Sequence, residues 1–343
     1  MRDWVRRIAE KGPKSLGDKF VALILAFLSL GYRFGFWVRQ IYFEKDWIKR
    51  KRLPITVISV GNLTWGGTGK TPFVKFLASR LDLMGKKVLI LTRGYSHDEV
   101  REYEIACPQA VIGVGKNRYD VALKKLSREL PDIAVLDDGF QHGELYRDLD
   151  IVLINGICPF GQGHLIPWGS LREPLSQLSR GQLFVITHAD KISENQKSEI
   201  QNVLRRYAPN ADVIEAAHVP VRLFRAKDGR ELETGFIRGK GLISVSGIGF
   251  PDSFNESLQS LGGEVRRSFE FGDHYSYSSK ELEEVRKLKD SSLAQEIVVT
   301  EKDYLRAPEL LTEILDPLVL SVQIKIISGE KILNDRLHRL LAR

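Results

Sequence analysis

The run Gly61-Asn62-Leu63-Thr64-Trp65-Gly66-Gly67-Thr68-Gly69-Lys70-Thr71 leaves the chain few ways to fold. It follows the apolar, mostly β-branched positions Ile55, Val57, Ile58 and Val60 and precedes a helix-like segment over 72–84, so its glycines fall where a buried strand turns into a helix. Glycines let successive backbone N–H groups converge on phosphate oxygens, and the helix N-terminus adds positive dipole. Lys70 is placed to reach β and γ phosphates, and the Thr71 hydroxyl to hold Mg²⁺. A nucleoside triphosphate is the expected ligand, cradled by Thr64, Trp65, Gly66, Gly67, Thr68, Gly69, Lys70 and Thr71. The usual phosphate-loop pattern opens on a glycine where Thr64 stands here. Pro72 suits the first helical turn.

Downstream, short apolar strands (87–92, 110–113, 133–136, 150–154, 182–186) alternate with helical stretches such as 117–130. That alternation predicts a mostly parallel α/β sheet sandwiched by helices, in which ligands bind at the carboxyl ends of strands. Residues 64–71, Arg93, Asp137 and Asp138 all fall at such ends. The expected organisation is an N-terminal region over 1–50, a nucleotide-binding domain over 51–210, a hairpin-like linker over 211–240 and a smaller α/β domain over 241–343. In that last part strands are expected at 242–245 and 265–269, and helices at 251–261 and 279–289.

Adjacent acids after a buried strand, Asp137-Asp138, read as the second element of a phosphate site, holding Mg²⁺ directly or through water. Asp98-Glu99 falls in a polar loop after Arg93-Gly94-Tyr95, where spacing alone favours solvated acids; a general base would need hydrogen-bond reach of an acceptor hydroxyl. His274, in Phe271-Gly272-Asp273-His274-Tyr275, reads first as structural, with assistance to a base across a cleft as its functional alternative. His142 and His164 show no metal-ligand spacing. Arg172-Glu173 combines a guanidinium fork for phosphate with a carboxylate for a metal, against a loop salt bridge as the plain reading. Thr187-His188-Ala189-Asp190 partly mimics a guanine-reading element, but His occupies the lysine position, which argues against a GTPase.

The net charge of +7 favours anionic partners without choosing between nucleic acid, phospholipid and nucleotide. Cys107 and Cys158 are the only cysteines, which excludes a disulfide framework or a cysteine-based zinc site and fits a reducing compartment. Residues 20–32 are almost wholly apolar and are flanked by Arg6, Arg7, Lys11, Lys14 and Lys19 before and Arg33 and Arg39 after, with Trp4, Trp37 and Trp47 nearby. The uninterrupted run is short for a crossing, so a helix lying in the membrane interface is expected. A packed core helix and a tilted span are the alternatives. No small-residue cleavage site follows the run, and Asp3, Glu10 and Asp18 dilute the acid-poor pattern of a mitochondrial presequence.

Taken in order, Val60 to Pro72, Thr92-Arg-Gly-Tyr95, Leu136-Asp-Asp-Gly-Phe-Gln-His142, Arg147-Asp-Leu-Asp150, Leu171-Arg-Glu-Pro174, Gly247-Ile-Gly249, Phe271-Gly-Asp-His274 and Thr300-Glu-Lys-Asp303 closely resemble the lipid A 4′-kinase family, tetraacyldisaccharide 4′-kinase. The resemblance implies a P-loop kinase of two α/β/α domains, passing the ATP γ-phosphate to the 4′-hydroxyl of a tetraacyl disaccharide 1-phosphate at a membrane surface. It implies phosphate and Mg²⁺ binding by Lys70 and Thr71, and Asp137, Asp138 and Glu173 ordering the metal and its neighbours. It makes Asp98 the catalytic base and His274 its partner, brought together by domain closure. The implied partners are the acylated glucosamine disaccharide and the membrane, with no nucleic acid and no obligate protein partner. The segment Ser96-His97-Asp98-Glu99 is contracted relative to the usual family pattern, as in plant-type members. The expected location is therefore the cytoplasmic face of a bacterial inner membrane, or the mitochondrial inner membrane in a plant. The competing classes are a membrane-bound NTPase switch and a nucleotide-binding scaffold without turnover.

Overall fold

The computed structural model describes residues 8, 12, 15–45, 47, 49–94, 97–272, 275–291 and 293–342. The chain forms two compact units, one of residues 1–93, 109–217 and 326–343, the other of 94–108 and 218–325.

The first unit is built on strands β1 (Thr56–Asn62), β2 (Val88–Thr92), β3 (Val111–Val114), β4 (Ile133–Asp137), β5 (Leu149–Asn155), β6 (Leu183–Thr187) and the start of β7 (Asp212–Arg225). They lie in the order β3-β2-β4-β1-β5-β6-β7, every pair parallel. Parallel strands need crossovers, and the helices Lys70–Leu83, Arg118–Glu129 and Glu194–Tyr207 supply them. With both faces covered, β2, β4, β5 and β6 are buried at every residue, as continuous apolar strands should be. Val57, Leu89, Leu91, Ala134 and Leu136 fill one face, while Leu63, Phe140, Val152, Ile154 and Phe184 fill the other. The Arg118–Glu129 helix starts at Asn117, whose side chain accepts from the Asp120 N–H, and a Ser193–Gln196 capping box starts Glu194–Tyr207.

The mostly parallel α/β fold expected from the sequence is the one observed. Three local readings change. The Asp98-Glu99 segment is helical, not loop: His97–Ala106 is a helix packed on Glu301–Arg306 in the second unit. Its spacing of Val100, Tyr103 and Cys107 is the signal of that packing, with Tyr103 and Cys107 buried. The chain also returns at its end: Glu330–Leu341 belongs to the first unit, held by Arg80 to Glu330 at 2.8 Å and by Arg336 to Asp212 at 2.6 Å. The third change concerns the N-terminal helix.

That helix, Leu16–Glu44, begins at a Ser15–Asp18 capping box and continues through Arg33, far beyond the apolar run. At 29 residues it is about 44 Å long, so by length and composition it could cross a membrane. It is not a packed core helix, because Phe20, Leu23, Phe27, Leu30, Phe34 and Trp37 are all exposed. Its opposite face is pinned to the first unit. Ser29 donates to the Leu165 carbonyl, Tyr32 to that of Arg172 and Arg39 to that of Gln141, while Gln40 bonds Gln177. A helix held along one side with bare aromatic and aliphatic side chains on the other is consistent with membrane association.

The second unit has its own core. The rest of β7 pairs antiparallel with β8 (Glu231–Leu232) around a turn at Lys227 to Gly229. β9 (Gly241–Ser246), β10 (Glu264–Glu270), β11 (Glu296–Thr300) and β12 (Leu318–Ser328) form a parallel set in the order β10-β9-β11-β12. Ile243, Val245, Leu282 and Val299 pack on one face, and Leu242, Phe254, Leu258 and Val298 on the other. Asp303 is fully buried, accepting from Tyr277 at 2.8 Å, the Gly247 N–H at 3.0 Å, Thr300 at 2.6 Å and Arg306 at 3.0 Å. Arg306 also donates to the Tyr275 carbonyl, so one buried carboxylate ties the 247–249 turn to the segment that follows position 274.

Candidate functional site

Because the strands of the first unit are parallel, their carboxyl ends share one edge. The terminal residues of β2, β4, β1, β5 and β6 are Thr92, Asp137, Asn62, Asn155 and Thr187, all polar and all buried. Buried polar groups need partners, and most of these serve the phosphate loop. Asn155 donates to the Gly67 carbonyl at 3.3 Å, Thr187 to the Thr68 carbonyl at 3.2 Å, and the Asn62 amide to the Thr68 hydroxyl at 2.7 Å. The Trp65 N–H bonds the Ser170 carbonyl at 2.9 Å, and that of Arg172 bonds the Leu63 carbonyl at 2.7 Å.

Within the loop, Gly66 and Gly69 adopt left-handed φ of 83° and 79°, which side-chain-bearing residues rarely take. Thr64 has no positive φ and forms a β-bridge to Leu171, so this loop has no need of the glycine usually found there. Gly61 is required for another reason. A Cβ on it would stand 2.5 Å from that of Phe140.

Lys70 opens the Lys70–Leu83 helix and points back over the loop. Its ammonium lies 3.3 Å from the Asn62 side-chain oxygen and 3.7 Å from Asp138. Arg172 grips Asp138 with both terminal guanidinium nitrogens, at 2.8 and 2.9 Å, and also donates to the Asn62 side-chain oxygen. Four segments thus close a ring of Asn62, Lys70, Asp138 and Arg172. Asp138 turns into it through a left-handed φ of 52°. Burial pushes the Asp138 carboxyl up, but the Arg172 bonds and the Lys70 and Arg172 charges outweigh it and hold the group well below its ordinary range. With two cations against one anion, the ring keeps an excess positive charge where a polyphosphate would lie.

Beneath it, Glu173 is buried and ion-paired with Arg180, whose guanidinium stacks 4.2 Å over the Phe140 ring. Burial pushes the Glu173 carboxyl up, opposed chiefly by Arg180. Arg147 bonds Asp150 and donates to the His142 carbonyl at 2.6 Å, bracing the turn after Asp138. The roles of Asn62, Asn155, Gln141, Arg147 and Arg180 went unread in the sequence. Only the motifs that contain Asn62, Gln141 and Arg147 marked them.

The donors expected for Mg²⁺ are hard oxygens: the Thr71 hydroxyl, buried Asp137 beside the Thr92 hydroxyl at 3.4 Å, and ionised Asp138. They fit this cation, which takes one or two carboxylates together with phosphate oxygens and water. Among the described residues no cluster of three or more His, Cys, Asp or Glu side chains forms a metal cage. Asp98 lies on the His97–Ala106 helix, in the second unit; its side chain is outside the described residues, as is His274. The segment that carries Asp98 and the one that brackets position 274 both belong to the second unit.

His164 stacks on Trp168 at 3.5 Å, a packing role. His188 is buried, and burial followed by the Lys191 charge lowers its pKa to about 4. The unfolded chain, with histidine near its ordinary 6.5, binds more protons between these values. Stability from neutral His188 is therefore present above pH 6.5 and lost as pH falls toward 4, on the order of 3 kcal/mol. The thermal midpoint should fall over this window, and His188→Asn, which stays neutral and tolerates the left-handed φ, should flatten the slope. An unchanged slope in the variant would show that other groups govern it.

Comparison with known proteins shows what the whole chain is similar to. The family model for tetraacyldisaccharide-1-P 4′-kinase matches residues 21–111 and 98–342. The chain is 34% identical over 336 residues to a tetraacyldisaccharide 4′-kinase of Halothermothrix orenii, covering 88% of this chain and 87% of that one. It is 35% identical over 308 residues to a probable mitochondrial tetraacyldisaccharide 4′-kinase of Arabidopsis thaliana, with coverage of 80% and 78%. Among solved structures, LpxK from Aquifex aeolicus in complex with ATP superposes with a TM-score of 0.70 at 27% identity, covering 94% of this chain and 99% of that one. With that much of the chain accounted for, and its phosphate loop intact, this protein belongs to the tetraacyldisaccharide 4′-kinase family.

Proposed function

We propose that this chain transfers the γ-phosphate of ATP to the 4′-hydroxyl of a tetraacyl disaccharide 1-phosphate, giving the 1,4′-bisphosphate at a membrane surface. The observation that carries this reading is the ring of Lys70, Arg172, Asp138 and Asn62 beside a loop shaped for phosphate. Phosphoryl transfer asks for charge neutralisation and alignment more than covalent help. Lys70 and Arg172 meet the charge on the β and γ phosphates, and the loop N–H groups hold the nucleotide in line. Mg²⁺ would be held by Thr71 with Asp137 and Asp138, Glu173 ordering its neighbours, and supplies further positive charge when bound. Asp98 takes the proton of the acceptor hydroxyl and His274 supports it.

The exposed side of the Leu16–Glu44 helix brings the enzyme to the acyl chains of its substrate. In a bacterium that surface is the cytoplasmic face of the inner membrane; in a plant it is the mitochondrial inner membrane. A switch without a lipid acceptor is not favoured by the family.

The test is incubation with Mg²⁺, γ-labelled ATP and tetraacyl disaccharide 1-phosphate in detergent micelles. Label in the lipid is expected. ATP hydrolysis with no labelled lipid would replace this reading with the switch.

A further inference from the structure

We infer that Asn62 is a positioning residue of the transfer site: a neutral acceptor that holds Lys70 and Arg172 together over the phosphate loop without cancelling their charge. The inference rests on the reading of this loop as an ATP site.

Asn62 is the last residue of β1 and fully buried. Lys and Arg are donors only, so the amide oxygen must face Lys70 and Arg172 and the NH₂ must face the Thr68 hydroxyl, as found. Its own carbonyl accepts from Gln141 at 2.8 Å and from Arg172 at 3.4 Å, so main chain and side chain together lock the residue. One amide therefore fixes three phosphate-site groups that come from two distant segments. Lys70, Asp138 and Arg172 remain 23%, 20% and 21% exposed at their side chains, open toward the site.

Two like charges share one oxygen here, and the chemistry of that acceptor decides what remains for substrate. An amide dipole stabilises both cations and leaves the ring with net positive charge. A carboxylate of the same shape would pair with them, bring the ring to neutrality, and compete with phosphate for the same donors. Asn62 thus sets the field at the phosphate as well as the geometry.

Asn62→Asp and Asn62→Ala separate these effects. Asn62→Asp should raise the ATP KM, and the Kd for a fluorescent ATP analogue, about tenfold or more, with the lipid KM unchanged. Asn62→Ala keeps the charge but frees the two cations, so kcat should fall about tenfold with a smaller rise in ATP KM. A purely structural role would lower the thermal midpoint and the active fraction in both variants while leaving KM alone, and that result would overturn the inference. Should Asn62→Asp fail to fold, the Asn62→Ala ratio of kcat to KM decides. Wild-type protein that does not bind the analogue removes the ATP reading itself. Wild-type binding matched by both variants removes only Asn62.

Discussion

Replacing Lys70 with alanine should reduce phosphate transfer by about 10³-fold or more, roughly 4 kcal/mol of barrier. The ammonium stands at the start of a helix between Asn62 and Asp138, so it is fixed before nucleotide arrives and no reorganisation is needed as charge develops. Its loss also removes one of the two ring cations that face Asp138, tilting the ring of Asn62, Lys70, Asp138 and Arg172 from positive to neutral. Binding should suffer less than turnover, because the loop N–H groups and the helix dipole remain. Folding should be nearly unaffected, since the Lys70–Asp138 contact is 3.7 Å and partly solvated. The check is kcat and ATP KM on protein whose thermal midpoint matches the parent; a loss below tenfold would exclude Lys70 from the transition state.

Asp98→Ala should lower kcat by about 10²- to 10⁴-fold with ATP binding retained. The sequence places this acid in the contracted segment after Arg93-Gly94-Tyr95, and the structure places its backbone in the first turn of the His97–Ala106 helix, where the dipole favours a negative charge. A loose transfer transition state needs little help at phosphorus, so a base matters for the acceptor proton alone. That makes the KM split diagnostic: transfer collapses while ATP affinity stays. Near-normal turnover would remove Asp98 from the base role.

What the sequence revealed and what it hid have one physical cause. Glycine, lysine and threonine at fixed spacing between a strand and a helix carry their chemistry locally, so the phosphate loop was legible, as were Asp137 and Asp138 at the end of a buried strand. Asn155 and Thr187 act on that loop only because β1, β5 and β6 are neighbours with parallel ends, a relation that exists once the strand order is known, and Asn62, though inside the loop run, meets Arg172 only across the fold. Arg180 reaches Glu173 and Phe140 through tertiary packing that no local pattern announces. The His97–Ala106 helix was hidden because it is mostly polar and buries few residues. The N-terminal helix read as a short apolar run because Arg33 interrupts it in sequence, while in three dimensions the helix simply continues.

The most direct test of the account is the position of the new phosphate. Product from the lipid reaction should show, by phosphorus NMR correlated to the sugar protons, one added phosphomonoester on the 4′ carbon of the tetraacyl disaccharide 1-phosphate. A phosphate on another hydroxyl, or ATP consumed with the lipid unchanged, would contradict it.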